Sequence, residues 1–267
     1  MIKIRDLFFS YEAKPVLNGI NLDIEDGEFV VLLGLNGSGK TSLFKMLNAL
    51  VTPSEGCVCV DGLKTTQREN VWEIRKKVGM IFQNPESQIV GTTVEEDVAF
   101  GMENIGIPRQ EMIRRVDEVL DFVGLSAQKK REPFHLSGGQ KQLLCVASIL
   151  AMRPKYIVMD EPTSMIDPIG RKKILEIMRK LNEDGKTILF STHILEEIVV
   201  AKRVVYLKNG RILFDGNPVD ILSKVREEFG KSEFLEFQYM LYEDGLIERF
   251  MSEEELEERL KALGDKI

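Results

Sequence analysis

The residues of this chain that are best suited to chemistry begin at Gly34–Thr41, which reads GLNGSGKT. This segment fits the pattern G-x-x-x-x-G-K-[ST] and lies between the apolar run Phe29–Leu33 and the helical pattern Ser42–Leu50. A glycine-rich loop before a helix can aim backbone N–H groups and the positive end of the helix dipole at phosphate oxygens. We therefore expect a nucleoside triphosphate to be bound by Gly34, Leu35, Asn36, Gly37, Ser38, Gly39, Lys40 and Thr41.

Two side chains at the end of this loop carry a charge and a hydroxyl. Lys40 would neutralise the β- and γ-phosphates, and the Thr41 hydroxyl would bind Mg²⁺. The alternative is a glycine-rich turn that binds nothing, but the Lys-Thr pair is in register and both flanks fit the motif. The loop alone indicates only a nucleoside triphosphate, so the use of that nucleotide has to be inferred from other segments.

The segment Tyr156–Glu161, YIVMDE, is an apolar strand that ends in two carboxylates. Such a strand delivers Asp160 to its carboxyl end, where it would bind Mg²⁺ beside the phosphate loop. Glu161 would orient and deprotonate water in line with the γ-phosphate. The alternative is that both carboxylates only cap a turn before Pro162, but after a phosphate loop the catalytic interpretation is favoured.

The segment Leu136–Gln140, LSGGQ, opens a helix that runs through Ala151. Ser137, Gly138 and Gly139 at a helix start form a second potential anion site, built from N–H donors, a hydroxyl and the helix dipole. In isolation, an ordinary helix cap would be the better interpretation.

The elements around these segments predict an α/β fold. Strands are predicted at Lys3–Ser10, Asn21–Ile24, Tyr156–Met159 and Thr187–Phe190, and helical patterns replace strands between about residues 84 and 150. Because strands and helices alternate, we expect a largely parallel sheet with a helical insertion. The carboxyl ends of its strands would bring the candidate residues to one edge.

Composition excludes several classes of protein. A net charge of −7 over 267 residues gives no overall basic field, which argues against nucleic acid as a partner. No apolar run approaches 18 residues and the N-terminus lacks the apolar core of a signal peptide, so we expect a soluble, cytosolic protein that reaches a membrane only through a partner. Cys57 and Cys59 lack a second pair or a nearby histidine, which disfavours a metal site there, and Cys145 is predicted to lie in the core.

Past Gly216 the sequence becomes helical and acidic, with twelve Asp or Glu against three Lys or Arg in residues 227–260. Apolar residues are too frequent here for a disordered tail. Ser252 and Glu255 are predicted to cap a final helix that carries Leu256, Leu260 and Leu263. We interpret this region as a packed extension or a self-association element, with a solvated acidic tail as the alternative.

Together these segments resemble the ATP-binding cassette (ABC) family of transporter ATPases. Gly34–Thr41 matches its Walker A loop, Leu136–Gln140 its signature motif and Tyr156–Glu161 its Walker B strand, in an order and spacing that agree over about residues 1–216. Further matches are Tyr11 as the aromatic that stacks on adenine (with Phe9 as the alternative), Gln83 as the Q-loop, Ser164–Asp167 as the D-loop and His193 as the switch histidine.

The resemblance implies a P-loop (RecA-like) fold: a mostly parallel sheet core with an antiparallel β subdomain. An ABC ATPase domain would span residues 1–216, with a helical subdomain at about 84–150. Residues 217–267 would form the helical C-terminal extension, a possible dimerisation element. Two such cassettes pack head to tail, so that each ATP lies between Walker A of one and the signature of the other. In that arrangement Ser137, Gly138, Gly139 and Gln140 would serve the partner's nucleotide.

The same resemblance implies roles and cofactors. ATP and Mg²⁺ would be the cofactors, with Mg²⁺ held by Thr41, Gln83 and Asp160. Glu161 would be the general base, His193 would hold the γ-phosphate and the attacking water, and Asp167 would contribute to nucleotide binding. Gln83 would also couple the γ-phosphate to the helical insertion.

The segment Gln83–Gly101, QNPESQIVGTTVEEDVAFG, is similar to that of energy-coupling factor (ECF) and cobalt/nickel-type importer ATPases. This implies uptake of a vitamin or metal ion at the cytoplasmic face of the membrane, with the chain bound peripherally. An integral membrane scaffold would dock near 83–101, and a separate membrane subunit would bind the substrate. Carboxylates that would suit basic groups of the scaffold are Glu86, Glu95, Glu96 and Asp97. The alternatives are an ATPase of another ABC importer or exporter and, less favoured, a soluble non-transport ABC ATPase.

Overall fold

Two sheets and the helices around them make up the fold in this computed structural model, which describes residues 1–12 and 14–264. The strands are β1 (Ile2–Tyr11), β2 (Lys14–Ile24), β3 (Phe29–Leu33), β4 (Glu55–Val60), β5 (Leu63–Lys64), β6 (Val78–Ile81), β7 (Tyr156–Asp160), β8 (Thr187–Thr192), β9 (Arg203–Lys208) and β10 (Arg211–Gly216). The helices are α1 (Lys40–Leu47), α2 (Val71–Lys77), α3 (Val94–Asn104), α4 (Arg109–Val123), α5 (Gly138–Ala151), α6 (Pro168–Glu183), α7 (Pro218–Phe229), α8 (Glu233–Glu243) and α9 (Glu253–Gly264). The side chain predicted at Leu263 lies outside the described part of the chain.

The larger sheet has the strand order β10-β9-β3-β8-β7-β6, and its neighbours are parallel except for the β9–β10 hairpin. Every residue of β3, β7 and β8 is buried. In β3, Val31 and Leu33 face one apolar core while Val30 and Leu32 face another. Burial on both faces explains why these strands read as continuous apolar runs, and the predicted mostly parallel core is confirmed.

The smaller sheet is antiparallel, with the order β2-β1-β4-β5, and its buried residues share an apolar core with α1 and one face of the parallel sheet. Its first strands are longer than predicted, because β2 already begins at Lys14. Asn18-Gly19 in its middle does not break the strand: Gly19, with φ +67°, is an extra residue opposite Leu7 and Phe8 and forms a β-bulge.

The helical insertion consists of α3, α4 and α5, whose apolar faces join the main core. Thr93 and Glu96 form the capping box of α3, whereas Thr92 only bonds to Glu96 through its hydroxyl. Pro108 is the residue before α4, and Gly124 ends that helix in a left-handed conformation.

The C-terminal helices pack on the cassette. Val219, Ile221 and Val225 of α7 are buried in the main core. The last helix, α9, is joined to α6 by ion pairs between Lys172 and Glu254 and between Arg179 and Glu255. These contacts favour a packed extension over a solvated tail. No helix within the described ranges is long and apolar enough to cross a lipid bilayer.

Candidate active site

The loop Gly34–Thr41 connects β3 to α1, as its motif predicted. Gly37 and Gly39 have φ values of +81° and +109°, which a residue with a side chain rarely adopts. A Cβ on Gly39 would lie 2.7 Å from the Leu17 side chain, so the antiparallel sheet presses directly against the loop. On the other side, Gly210 N–H donates to the carbonyl of Ser38 at 3.0 Å. The loop is therefore shaped by walls from both sheets.

Lys40 lies inside the loop with 4% of its surface exposed. Its ammonium donates to the carbonyl of Gly34 at 2.7 Å and to that of Leu35 at 3.2 Å, and it stands 2.9 Å from Glu161 Oε1. The Ser38 hydroxyl is buried without a hydrogen-bond partner. A buried cation and an unpaired hydroxyl in a glycine-rich loop before a helix fit the β- and γ-phosphates of a nucleotide.

Two oxygen donors suited to Mg²⁺ meet beside the loop. Thr41 Oγ1 lies 2.6 Å from Asp160 Oδ2, and Asp160 Oδ1 accepts a hydrogen bond from Ser191 at 2.7 Å. Mg²⁺ prefers a few such oxygens together with phosphate oxygens and water. Within the described residues, no three His, Cys, Asp or Glu side chains are grouped to hold a metal alone. The donor set therefore fits a metal that arrives with a triphosphate.

Glu161 is the point at which the candidate catalytic residues converge. Its Oε2 lies 3.0 Å from His193 Nδ1 and accepts a hydrogen bond from Gln83 Nε2 at 3.1 Å. The residue is 7% exposed, and its φ of +45° is unusual for a residue other than glycine. Strained backbone at a buried carboxylate is characteristic of functional sites, where surrounding contacts enforce the conformation.

An open cleft of about 680 Å³ runs over these groups. Its lining includes Tyr11, Asn36, Lys40, Thr41, Gln83 and Glu161. Tyr11 is 47% exposed and its ring contacts the buried Phe9 edge-on, with 4.7 Å between centroids. Of the two aromatic candidates only Tyr11 lines the cleft, and stacking on adenine stays a prediction for it.

The signature residues and Asp167 lie outside the lining of this cleft. Ser137 and Gln140 form a capping box at the start of α5, and Asp167 caps α6 by accepting hydrogen bonds from two backbone N–H groups. Around them, Met165 and Ile169 are 64% and 83% exposed. The two candidate anion-binding elements thus do not line one common cleft, which is what we expect if the signature serves another copy.

The structure corrects one residue of the predicted acidic docking surface, Asp97, which is buried, and the other three carboxylates also have partners within the chain. Asp97 is 4% exposed and accepts hydrogen bonds from Val90 N, Gly91 N and the Ser148 hydroxyl. Glu86 forms an ion pair with Lys141, and Glu95 forms ion pairs with Lys129 and Lys130. Glu96 belongs to the capping box of α3.

An apolar groove of about 410 Å³ also lies in this region, between α2, α3 and α5. It is lined among others by Leu50, Trp72, Phe82, Val90, Phe100 and Met152. Trp72 is 51% exposed at its edge. The sequence signal for this groove is a tryptophan on a short helical segment, and the sequence alone assigns it no role.

Fold and site define the chain as a P-loop nucleotide-binding protein in which a strand-end carboxylate, a glutamine and a histidine meet beside the phosphate loop. The family model "ABC transporter" matches residues 17–164, more than half of the chain. The chain therefore belongs to the ABC transporter ATPase family and is an ATP-hydrolysing enzyme of that family.

Individual relatives narrow the class. The chain is 48% identical to the cobalt import ATP-binding protein CbiO of Syntrophus aciditrophicus, over 84% of this chain and 81% of that protein. It is 42% identical to the energy-coupling factor transporter ATP-binding protein EcfA1 of Bacillus subtilis, over 100% of this chain and 98% of that protein. Among solved structures, cbiO1 of Clostridium perfringens, described as part of the ABC transporter complex cbiONQ, matches with a TM-score of 0.77 and 32% sequence identity. The match covers 85% of this chain and 94% of that one. The cassette MJ0796, solved as a dimer bound to ADP and Pi, matches with a TM-score of 0.74 and 31% sequence identity. The match covers 82% of this chain and 99% of that one.

Proposed function

We propose that this chain is the ATPase subunit of an ECF-type importer that couples ATP-driven dimer closure to uptake of a vitamin or metal ion. One observation carries the coupling: Phe82 lines the apolar groove, while its neighbour Gln83 lines the nucleotide cleft and bonds to Glu161. A displacement of the Phe82–Gln83 peptide would thus change both the apolar groove and the nucleotide cleft. The whole-length similarity to EcfA1 supports the ECF class over other ABC importers and exporters.

The proposed chemistry follows from the contacts at Glu161. The triphosphate would lie along Gly34–Thr41, with Lys40 between it and Glu161, and Thr41, Asp160 and Gln83 would hold Mg²⁺, which neutralises phosphate charge when bound. Glu161 accepts the proton of the attacking water, and His193, hydrogen-bonded to Glu161, orients that water and the γ-phosphate. Burial of Glu161 strengthens these electrostatic contacts because water is excluded.

The second half of the site would come from another ATP-binding subunit, identical or paralogous. Ser137, Gly138, Gly139, Gln140 and Asp167 then contact the nucleotide held by that partner's Walker A loop, in a head-to-tail dimer. The exposed Met165 and Ile169 beside them would be covered by the partner. The dimeric state of the similar cassette MJ0796 supports this arrangement.

The C-terminal helices would add to that contact. Phe237 and Met240 of α8 are 45% and 63% exposed, although the opposite side of the helix packs on the chain. We propose this apolar face of residues 217–267 as a dimerisation element.

The groove would receive a short apolar helix of an integral membrane scaffold, which places the chain at the cytoplasmic face of the membrane. The exposed Trp72 and Phe100 offer apolar area for such a helix to bury. A separate membrane subunit would bind the transported solute. No nucleic acid is involved in this proposal, in keeping with the acidic charge balance.

The groove is tested with Phe100→Glu and Trp72→Ala, and Phe122→Glu on α4 is the matched control outside the groove. We expect the first two to abolish stoichiometric co-purification of integral membrane subunits with the full-length chain while ATP affinity is retained. Co-purification that is equal in all three variants would refute docking in the groove. If the co-purifying subunits belong to another class of ABC transporter, the ECF assignment is refuted, whereas the assignment of the chain as an ABC ATPase stands.

A further inference from the structure

Glu197 is a buried carboxylate that the chemistry described above does not use. It lies four residues after His193, in the short 3-10 segment Leu195–Val200, and is 2% exposed. Burying an ionisable group is costly unless partners repay the lost hydration. Its surroundings are therefore informative about what it does.

One oxygen of Glu197 is connected to the turn that carries His193. Its Oε2 accepts a hydrogen bond from the Thr192 hydroxyl, and the same hydroxyl accepts one from Ile194 N–H at 2.9 Å. These two hydrogen bonds bracket His193 on both sides. They fix the backbone from which the imidazole reaches Glu161 at 3.0 Å.

The other oxygen faces the D-loop side. Glu197 Oε1 and Arg171 Nε are 3.7 Å apart, and both atoms are buried without a hydrogen-bond partner. Arg171 lies in the first turn of α6, where its N–H donates to the Asp167 carbonyl at 2.9 Å. Burial raises the pKa of Glu197, whereas the hydroxyl of Thr192 and the positive charge of Arg171 favour its ionised form.

We infer that Glu197 is a positioning residue for ATP hydrolysis: through Thr192 it fixes the turn that presents His193 to Glu161, and through Arg171 it ties that turn to the start of α6 beside Asp167. The inference rests on the roles proposed above for His193 and Glu161. A carboxylate is required, since a neutral amide accepts from Thr192 but offers no charge to Arg171.

The test is steady-state ATP hydrolysis by the full-length chain with Glu197→Gln, and Glu196→Gln, an exposed glutamate one residue earlier, is the control. We expect Glu197→Gln to lower kcat about tenfold or more, because small misplacements of catalytic groups are costly, with the KM for ATP within about twofold of wild type. Glu196→Gln should match wild type in both constants.

A double-mutant cycle separates positioning from a merely structural role. In a His193→Ala background the effect of Glu197→Gln on kcat should largely disappear, because its target is gone, whereas an equal loss in both backgrounds would overturn the inference. If Glu197→Gln does not fold, Thr192→Val removes the other connection, the hydrogen bond between Glu197 and the turn that carries His193, and full activity of that variant would also overturn the inference. Normal turnover of His193→Ala alone would instead refute the proposed function of that histidine.

Discussion

Replacing Glu161 with glutamine tests the centre of the proposed chemistry with the smallest possible change. The carboxylate contacts three groups, Lys40, His193 and Gln83, and an amide of the same shape cannot accept a proton. Loss of a general base costs about 10²- to 10⁴-fold in rate, which corresponds to about 3–5 kcal/mol on the barrier.

The same change also affects folding. Removing one partner of a buried ion pair costs about 3–5 kcal/mol when the other charge is left uncompensated. Lys40 keeps its hydrogen bonds to the carbonyls of Gly34 and Leu35, so we expect a loss of about 3 kcal/mol or less in the free energy of unfolding. Because the phosphate loop is unchanged, ATP binding should be retained, and the unreacted nucleotide should hold two subunits together.

Three measurements check this expectation: phosphate release at saturating ATP and Mg²⁺, equilibrium ATP binding, and molecular mass by light scattering with and without ATP. Glu161→Gln should show almost no turnover, retained binding and an ATP-dependent dimer. Glu196→Gln, the same chemical change at an exposed position, serves as the control. Turnover within about tenfold of wild type would refute the assignment of Glu161 as general base.

Three further predictions concern the Mg²⁺ site, the exposed face of α8, and Asp61, which accepts hydrogen bonds from Lys155 and Tyr156. Thr41→Val removes the hydroxyl beside Asp160 and should raise the Mg²⁺ concentration needed for half-maximal turnover, measured by magnesium titration; an unchanged requirement would contradict the proposed metal site. Met240→Glu should weaken self-association, measured by sedimentation, without altering ATP affinity; unchanged association would exclude the exposed face of α8 as a dimer contact. Burial raises the pKa of Asp61, but hydrogen bonds from Tyr156 and Lys155 outweigh it and hold that pKa far below the usual value of 3.8. The ionised Asp61 therefore stabilises the fold above about pH 3.8, and this contribution is lost as the pH falls further. Asp61→Asn should therefore lower the free energy of urea unfolding by about 1–2 kcal/mol at pH 7, with the difference from wild type narrowing below about pH 4, and a difference independent of pH would contradict this account.

Local sequence patterns were sufficient for the parts of the site that local geometry determines. A phosphate loop needs glycines at fixed spacing, and a buried parallel strand needs a continuous apolar run, so the positions of Lys40, Thr41 and Asp160 could be read before the fold was known. His193 and Gln83 each follow a strand of the same sheet, which explains why both reach Glu161.

Features that depend on contacts between distant segments could not be read in this way. Glu95 looked available for a partner, but Lys130, which follows it by 35 residues, pairs with it in the folded chain. The groove at Trp72 is formed by elements from three parts of the sequence, and nothing local specifies which side of α2 faces it. Glu197 was missed for the same reason, because its burial and its contact with Arg171 exist only after α6 has packed.

The walls around the phosphate loop have a thermodynamic consequence. Since Leu17 supports Gly39 from one sheet and Gly210 bonds to Ser38 from the other, the loop holds its shape through contacts that do not involve a nucleotide. Ordering a flexible loop would consume about 1–2 kcal/mol per residue of the interaction energy, and that cost is avoided here. In the proposed dimer, the free energy gained from the triphosphate would then be available for drawing in the second subunit.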